Sequence, residues 1–174
     1  NKHTHQTHCI VGARAYDINA EKRLPLSLLI NILGGPSANS RLNILLREKN
    51  GLSYNIEAAY TPYSDCGAVA IYFSCDHHNT DLCRELIDKE LHTLRSTRLT
   101  SRQLSLIKRQ FLAQMAISME NNEGYMLGAG KSFLLYKDID TLEEAYKKVM
   151  AITAEQIRDV AAECFGSLSR LIYK

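Results

Sequence analysis

The sequence predicts an α+β fold: an antiparallel sheet with helices packed on one face. Two observations carry this. Segments 52–60 and 68–75 are separated only by a connection of hairpin length, 61–67, so the two strands are most simply antiparallel. The whole order is strand, two helices, two strands, a block of helices and a last strand, and such segregation argues against alternating βαβ units.

Taken in order, His8 to Tyr16 mixes Cys, Ile, Val and Tyr with small residues and reads as the first strand. Alternation puts His3 and His5 on one side and His8 on the other, so the three form a polar approach to the strand and not a three-ligand site. From Glu21 to Leu33, Leu26, Leu29, Ile30 and Leu33 recur at helical spacing until Gly34-Gly35-Pro36. A short helix follows, with Ser37, Asn39 or Ser40 as N-cap and Leu42, Leu45 and Leu46 as its buried stripe, ended by Asn50-Gly51. The next strand sets Leu52, Tyr54, Ile56, Ala58 and Tyr60 against Ser53, Asn55, Glu57 and Ala59. In its partner, Val69, Ile71, Phe73 and Cys75 share a face.

Beyond Thr80 one helix face collects Cys83, Leu86, Ile87, Leu91 and Leu94. Thr100 caps a long helix with a stripe of Leu104, Ile107, Phe111, Met115 and Met119, leaving Arg102, Lys108 and Arg109 outside. A further helix over 123–136 carries Gly124 and Gly128 four residues apart, a spacing that admits a closely packed neighbour. Thr141-Leu-Glu-Glu and Thr153-Ala-Glu-Gln each open a short helix through a capping box, and Leu168 to Tyr173 closes the chain as a strand.

The 174 residues are 45% hydrophobic and 23% charged, the composition of an ordinary globular chain read here as one domain, 1–174. Lys plus Arg number 21 against 19 Asp plus Glu, without a basic stripe, so nucleic acid is not an expected partner. No apolar run approaches the roughly 20 residues of a membrane-spanning helix. Asn1 in place of Met suggests a piece of a longer protein. The five cysteines are widely separated and read as thiols, which suits a reducing interior, although a cytoplasm or a periplasm would both be compatible. Cys75-Asp76-His77-His78 with Cys83 is the richest metal-like cluster, but the strand pattern makes Cys75 a buried apolar residue and leaves both histidines in the following turn.

Glycine-rich nucleotide loops, the nucleophile-elbow motif and both orders of the His-Glu zinc motif are absent from the sequence. No catalytic residue and no metal ligand set is therefore assigned to this chain. What remains is Gly34-Gly35-Pro36-Ser37-Ala38-Asn39-Ser40-Arg41-Leu42, followed by Arg47-Glu48-Lys49-Asn50-Gly51-Leu52-Ser53-Tyr54. These are a glycine loop, a capped helix, and a helix-to-strand turn that brings an Arg and a Tyr near one another. Spacing alone makes Tyr54 a packed residue beside Leu52 and Ile56, Arg47 a solvated helix charge, and Gly34-Gly35 a helix stop.

Through these two stretches, and through Ile152-Thr153 to Ile157, nearly the whole chain resembles the C-terminal, non-catalytic domain of bacterial zinc peptidases of the M16 (pitrilysin, insulinase and processing-peptidase) family. It departs from the family pattern at Asn39, Asn43 and Ser53, where Ser, an aromatic residue and Ala are expected. The resemblance implies a LuxS- or processing-peptidase-like metallohydrolase half that closes a chamber opposite a homologous N-terminal catalytic domain or subunit carrying the zinc. It also implies that Arg47 and Tyr54 bind peptide substrate and that Gly34 and Gly35 flank the chamber. Two alternatives stand beside this: a separately encoded non-catalytic subunit of the same family, and an α+β binding module with no peptidase role.

Overall fold

A computed structural model of the protein describes residues 5–174. The elements are β1 (Thr7–Ala15), α1 (Arg23–Gly34), a π-helix (Asn43–Glu48), β2 (Ser53–Pro62), β3 (Gly67–Cys75), a 3-10 turn (His77–Asn79), α2 (Thr80–Ser96), α3 (Ser101–Met119), α4 (Asn122–Tyr136), α5 (Leu142–Ala151), α6 (Ala154–Cys164) and β4 (Ser169–Tyr173). They form two compact units, Thr100–Thr153 and the rest of the chain.

The first unit is the predicted sheet with helices on one face. Its strands run in the order β2-β3-β1-β4, every neighbouring pair antiparallel. Cys9, Val11 and Ala13 stand opposite Phe73, Ile71 and Val69, so the apolar alternation of both central strands falls on one side. Val69, Ile71, Phe73 and Cys75 are all buried there, each large side chain contributing roughly 1.5–3 kcal/mol of burial. Helices α1, α2 and α6 cover that side, and Leu26, Leu29, Leu33, Cys83, Ile87, Leu91, Ile157 and Val160 complete the core. On the opposite face His8 Nδ1 lies 2.8 Å from the Tyr72 hydroxyl, the two rings stacked, so His8 is engaged in a cross-strand pair. His3 lies outside the described residues.

The short helix after Gly35 differs in kind from the one the spacing predicts. Asn43–Glu48 is a π-helix, in which the Lys49 amide reaches back five residues to the Ile44 carbonyl at 2.9 Å. The wider turn buries Leu42 and Leu46 completely and leaves Leu45 half-buried.

In the second unit, Thr100 and Thr141 form the full reciprocal capping boxes with Gln103 and Glu144. Two expectations are corrected. Lys108 is buried, not outside, and its Nζ donates to the Met150 carbonyl at 2.7 Å. The last carbonyls of α5 have no partner within the helix and carry its negative dipole end, which gives an inward ammonium a place to go. Burial lowers the Lys108 pKa. Gly124 and Gly128 admit no closely packed neighbour either: a Cβ at Gly128 would meet nothing within 4 Å, and one at Gly124 would meet only the Asn121 side chain. Both glycines instead line a cavity of about 540 Å³, with Met115 and Met119 on its wall.

Glu163, near the end of α6, ties that helix to the segment between β1 and α1. It accepts hydrogen bonds from Tyr16 and from Lys22 Nζ, each at 2.5 Å. Lys22 first, and then the Tyr16 hydroxyl, hold its carboxyl below the ordinary carboxylate value. A depressed folded-state pKa contributes stability above the unfolded value, and that contribution disappears as pH falls through the folded value. The pair is half exposed, so its worth is under about 1 kcal/mol. Glu163→Gln should therefore melt lower than the parent at pH 7, by no more than roughly 2–4 °C. The gap should close on acidification below the carboxylate range; a gap independent of pH would assign the effect to packing.

Candidate functional site

Helix α1 ends where it runs into β2. A Cβ on Gly34 would sit 2.7 Å from both the Cβ and the amide nitrogen of Ala58, so glycine is what lets the helix end touch the strand. At Gly35 an added Cβ would lie 2.6 Å from the Asn31 carbonyl oxygen, while the Gly35 amide donates to that carbonyl at 3.0 Å to close the helix. The Gly34–Ser37 loop, Asn43 and the Asn55–Ala58 stretch of β2 together line a groove of about 290 Å³. The helix stop that the spacing offers for Gly34-Gly35 is present, and the same loop lines this groove.

Arg47 projects from the last turn of the π-helix. Its Nε lies 3.5 Å from Glu48 Oε1, about half of its side chain is exposed, and its terminal nitrogens make no hydrogen bond among the described residues. Gly51, at φ +60°, turns the chain in the left-handed region that glycine occupies without strain. The amides of Gly51 and Leu52 then donate to the Arg47 and Leu46 carbonyls at 3.0 and 2.8 Å. The beginning of β2 is thereby fastened to the turn that carries Arg47.

Tyr54 is where period-two reading fails. In place of packing beside Ile56, its side chain is 81% exposed, and its hydroxyl has no partner among the described residues. The cause is a β-bulge. Ser53 pairs with Cys75 and Asn55 with Ser74, so Tyr54 is an extra residue on the β2 side of the ladder. Ser53 turns inward instead, 1% exposed, and its hydroxyl donates to the Ser74 carbonyl at 2.6 Å. Sequence reasoning missed this residue. Its signal was the departure already noted, a serine where the family pattern has alanine.

Arg41, in the same glycine-loop stretch, is tied to Glu90 of α2 at 2.7 Å and serves as a tether between elements. The metal-like cluster is not assembled. Cys75 and Cys83 point into the core, with Cys75 Sγ 3.8 Å from Thr80 Oγ1, whereas Asp76, His77 and His78 sit exposed in the turn. Burial, then the neighbouring Cys75, pushes the Cys83 thiol up to about 12, against the thiolate a metal would need. Among the described residues no three His, Cys, Asp or Glu gather to hold an ion.

The sequence pattern of the peptidase M16 inactive domain matches residues 1–111. The chain belongs to that family. It is 30% identical over 164 residues to the uncharacterized zinc protease YmxG of Bacillus subtilis, covering 94% of this chain and 40% of that protein. An uncharacterized zinc protease of Mycobacterium leprae, ML0855, is 27% identical over 90% of this chain and 35% of its own. The chain thus spans well under half the length of these curated relatives. Among solved structures, a protease from Helicobacter pylori superposes with a TM-score of 0.86 at 17% identity, over 100% of this chain and 42% of that one. A peptidase M16 inactive domain from Pseudomonas fluorescens gives 0.81 at 22% identity, over 97% and 41%. Both share the α+β fold described above.

If Gly34 is the contact that seats α1 on β2, Gly34→Ala should cost roughly 1–3 kcal/mol, because the clash is with backbone and a short side chain that cannot swing away. Urea unfolding reads this directly. An unchanged midpoint would mean that the helix end moves freely against the strand.

Proposed function

We propose that this chain is the C-terminal, non-catalytic half of a longer two-domain zinc metalloendopeptidase, closing a proteolytic chamber opposite a homologous catalytic half. In this reading Arg47 and Tyr54 bind the peptide, and the Gly34-Gly35 loop flanks the chamber. The observation that carries it is the bulge at Tyr54. The fold turns a large aromatic side chain out of the sheet, at the cost of a ladder position, and leaves its hydroxyl without a partner next to a turn that carries a guanidinium with free donors. Membership of the inactive-domain family, and relatives named zinc proteases that are more than twice as long, support the same reading.

Chemically, a phenol and a guanidinium are donors. Arg47 offers a planar fork able to hold two carbonyl oxygens of an extended peptide, and Tyr54 offers one O–H to a carbonyl or to a developing oxyanion. Both side chains leave a backbone held by the Gly51 and Leu52 amide bonds, and their exposed ends are free to reach a peptide. Zinc, held by the other half, would supply Lewis-acid chemistry. Among the described residues no set fits the metal, since the histidines nearest the cysteines lie in an exposed turn while Cys75 and Cys83 are buried.

In the full-length protein, Arg47→Ala or Tyr54→Phe should lower kcat/KM by roughly 10- to 1,000-fold, the loss typical of one transition-state donor. Zinc content and melting temperature should stay unchanged. Arg47→Lys should recover only part of the loss, because an ammonium keeps the charge without the planar fork. Parent-like turnover in both Arg47→Ala and Tyr54→Phe would remove the functional reading of this turn.

The 174-residue chain by itself should retain no stoichiometric zinc after dialysis and should cleave no peptide. Elemental analysis with a peptidase assay checks this. One tightly held zinc per chain, with chelator-sensitive hydrolysis, would move the catalytic centre into this half.

A further inference from the structure

On the first unit, away from Arg47 and Tyr54, a hollow of about 310 Å³ opens between α2 and the turn that joins α6 to β4. Asp88, His92 and Arg95 reach it from α2 at spacings of four and three residues, which puts them on one helix face. Arg170 of β4 closes the far side, and the buried Leu91 and Phe165 lie beneath.

The charges in this hollow are not balanced. Arg170 Nη2 donates to Asp88 Oδ1 at 2.6 Å, so these two neutralise each other. Arg95 has no ion pair or hydrogen bond among the described residues, and neither does the His92 ring. One full positive charge and one imidazole therefore face the same concavity. Both side chains are solvent-exposed at the hollow, so they can close on a charged group without disturbing the core. Neither side chain has a bond in the fold to give up.

We propose that this hollow is a binding site for an oxyanion, a carboxylate or a phosphate group, held by Arg95 and His92 with the free N–H groups of Arg170 as the third side. A planar carboxylate suits the guanidinium fork of Arg95, and phosphate oxygens accept from guanidinium and imidazole N–H groups alike. Asp88 sets the affinity by neutralising Arg170. The site is independent of the peptide-binding reading of Arg47 and Tyr54 and would stand if that reading fell.

The test is a titration of the 174-residue chain followed through the His92 ring resonances by NMR, at fixed pH and about 0.15 M salt, where distant surface charges are screened. Three probes are used: inorganic phosphate, a short peptide with both termini blocked that contains glutamate, and the same blocked peptide with glutamine. A saturable shift with phosphate or with the glutamate peptide, and none with the glutamine peptide, supports the site. Whichever of the two active probes binds more tightly identifies the source of the oxyanion. Arg95→Gln should weaken binding roughly tenfold or more, the loss of a charge-assisted bond. Because Arg95 has no partner in the fold, this variant should melt like the parent. Asp88→Asn frees Arg170 and should tighten binding. Lys89→Gln, which removes the same charge from α2 outside the hollow, should change affinity less than about twofold. No saturable shift with either anionic probe would overturn the proposal. So would a Lys89→Gln loss equal to that of Arg95→Gln, which would leave only diffuse attraction.

Discussion

Strand β3 can bury one of its two faces, and most of the first unit follows from that constraint. Val69, Ile71, Phe73 and Cys75 alternate strictly, so their side must be covered, and α1, α2 and α6 cover it. The neighbouring strand β1 inherits the same polarity through its register, with Cys9 and Val11 inward and His8 paired with Tyr72 on the other face. The edge strand β2 obeys the rule only in part. From Ala58 back to Ile56 it keeps step, and then the bulge at Tyr54 reverses it, so that a serine hydroxyl enters the interior and an aromatic ring leaves it. An inward hydroxyl would be costly without a partner, and the Ser74 carbonyl supplies one at 2.6 Å.

Elements specified by side-chain periodicity or by local capping chemistry were legible in the sequence. The face of β3, the stripe of α2, the N-cap at Thr100 and the capping box at Thr141 depend on residues a few positions apart, and they stand where spacing places them. What escaped depends on backbone hydrogen-bond counting or on partners far along the chain. A π-turn and a β-bulge each change the register by one residue without altering the residue types around them. Lys108 reads as a surface charge because its acceptor, the Met150 carbonyl, lies 42 residues away. Gly124 and Gly128 carry the spacing of close packing, but spacing cannot tell a packed neighbour from a cavity.

The same distinction runs through the candidate site. Arg47 and Tyr54 could be singled out by resemblance alone, because period two would have buried the tyrosine. Their exposure rests on three backbone features: the left-handed Gly51, the amides of Gly51 and Leu52 bonded back to the π-helix, and the bulge that follows.

The central claim is that the outward Tyr54 meets substrate peptide. Photocrosslinking tests it most directly, with a benzophenone amino acid placed at position 54, or at the exposed position 85 of α2, in metal-depleted full-length protein bound to a peptide substrate. The account predicts that the peptide attaches at position 54 and not at position 85. Attachment at neither position, or equally at both, would contradict it.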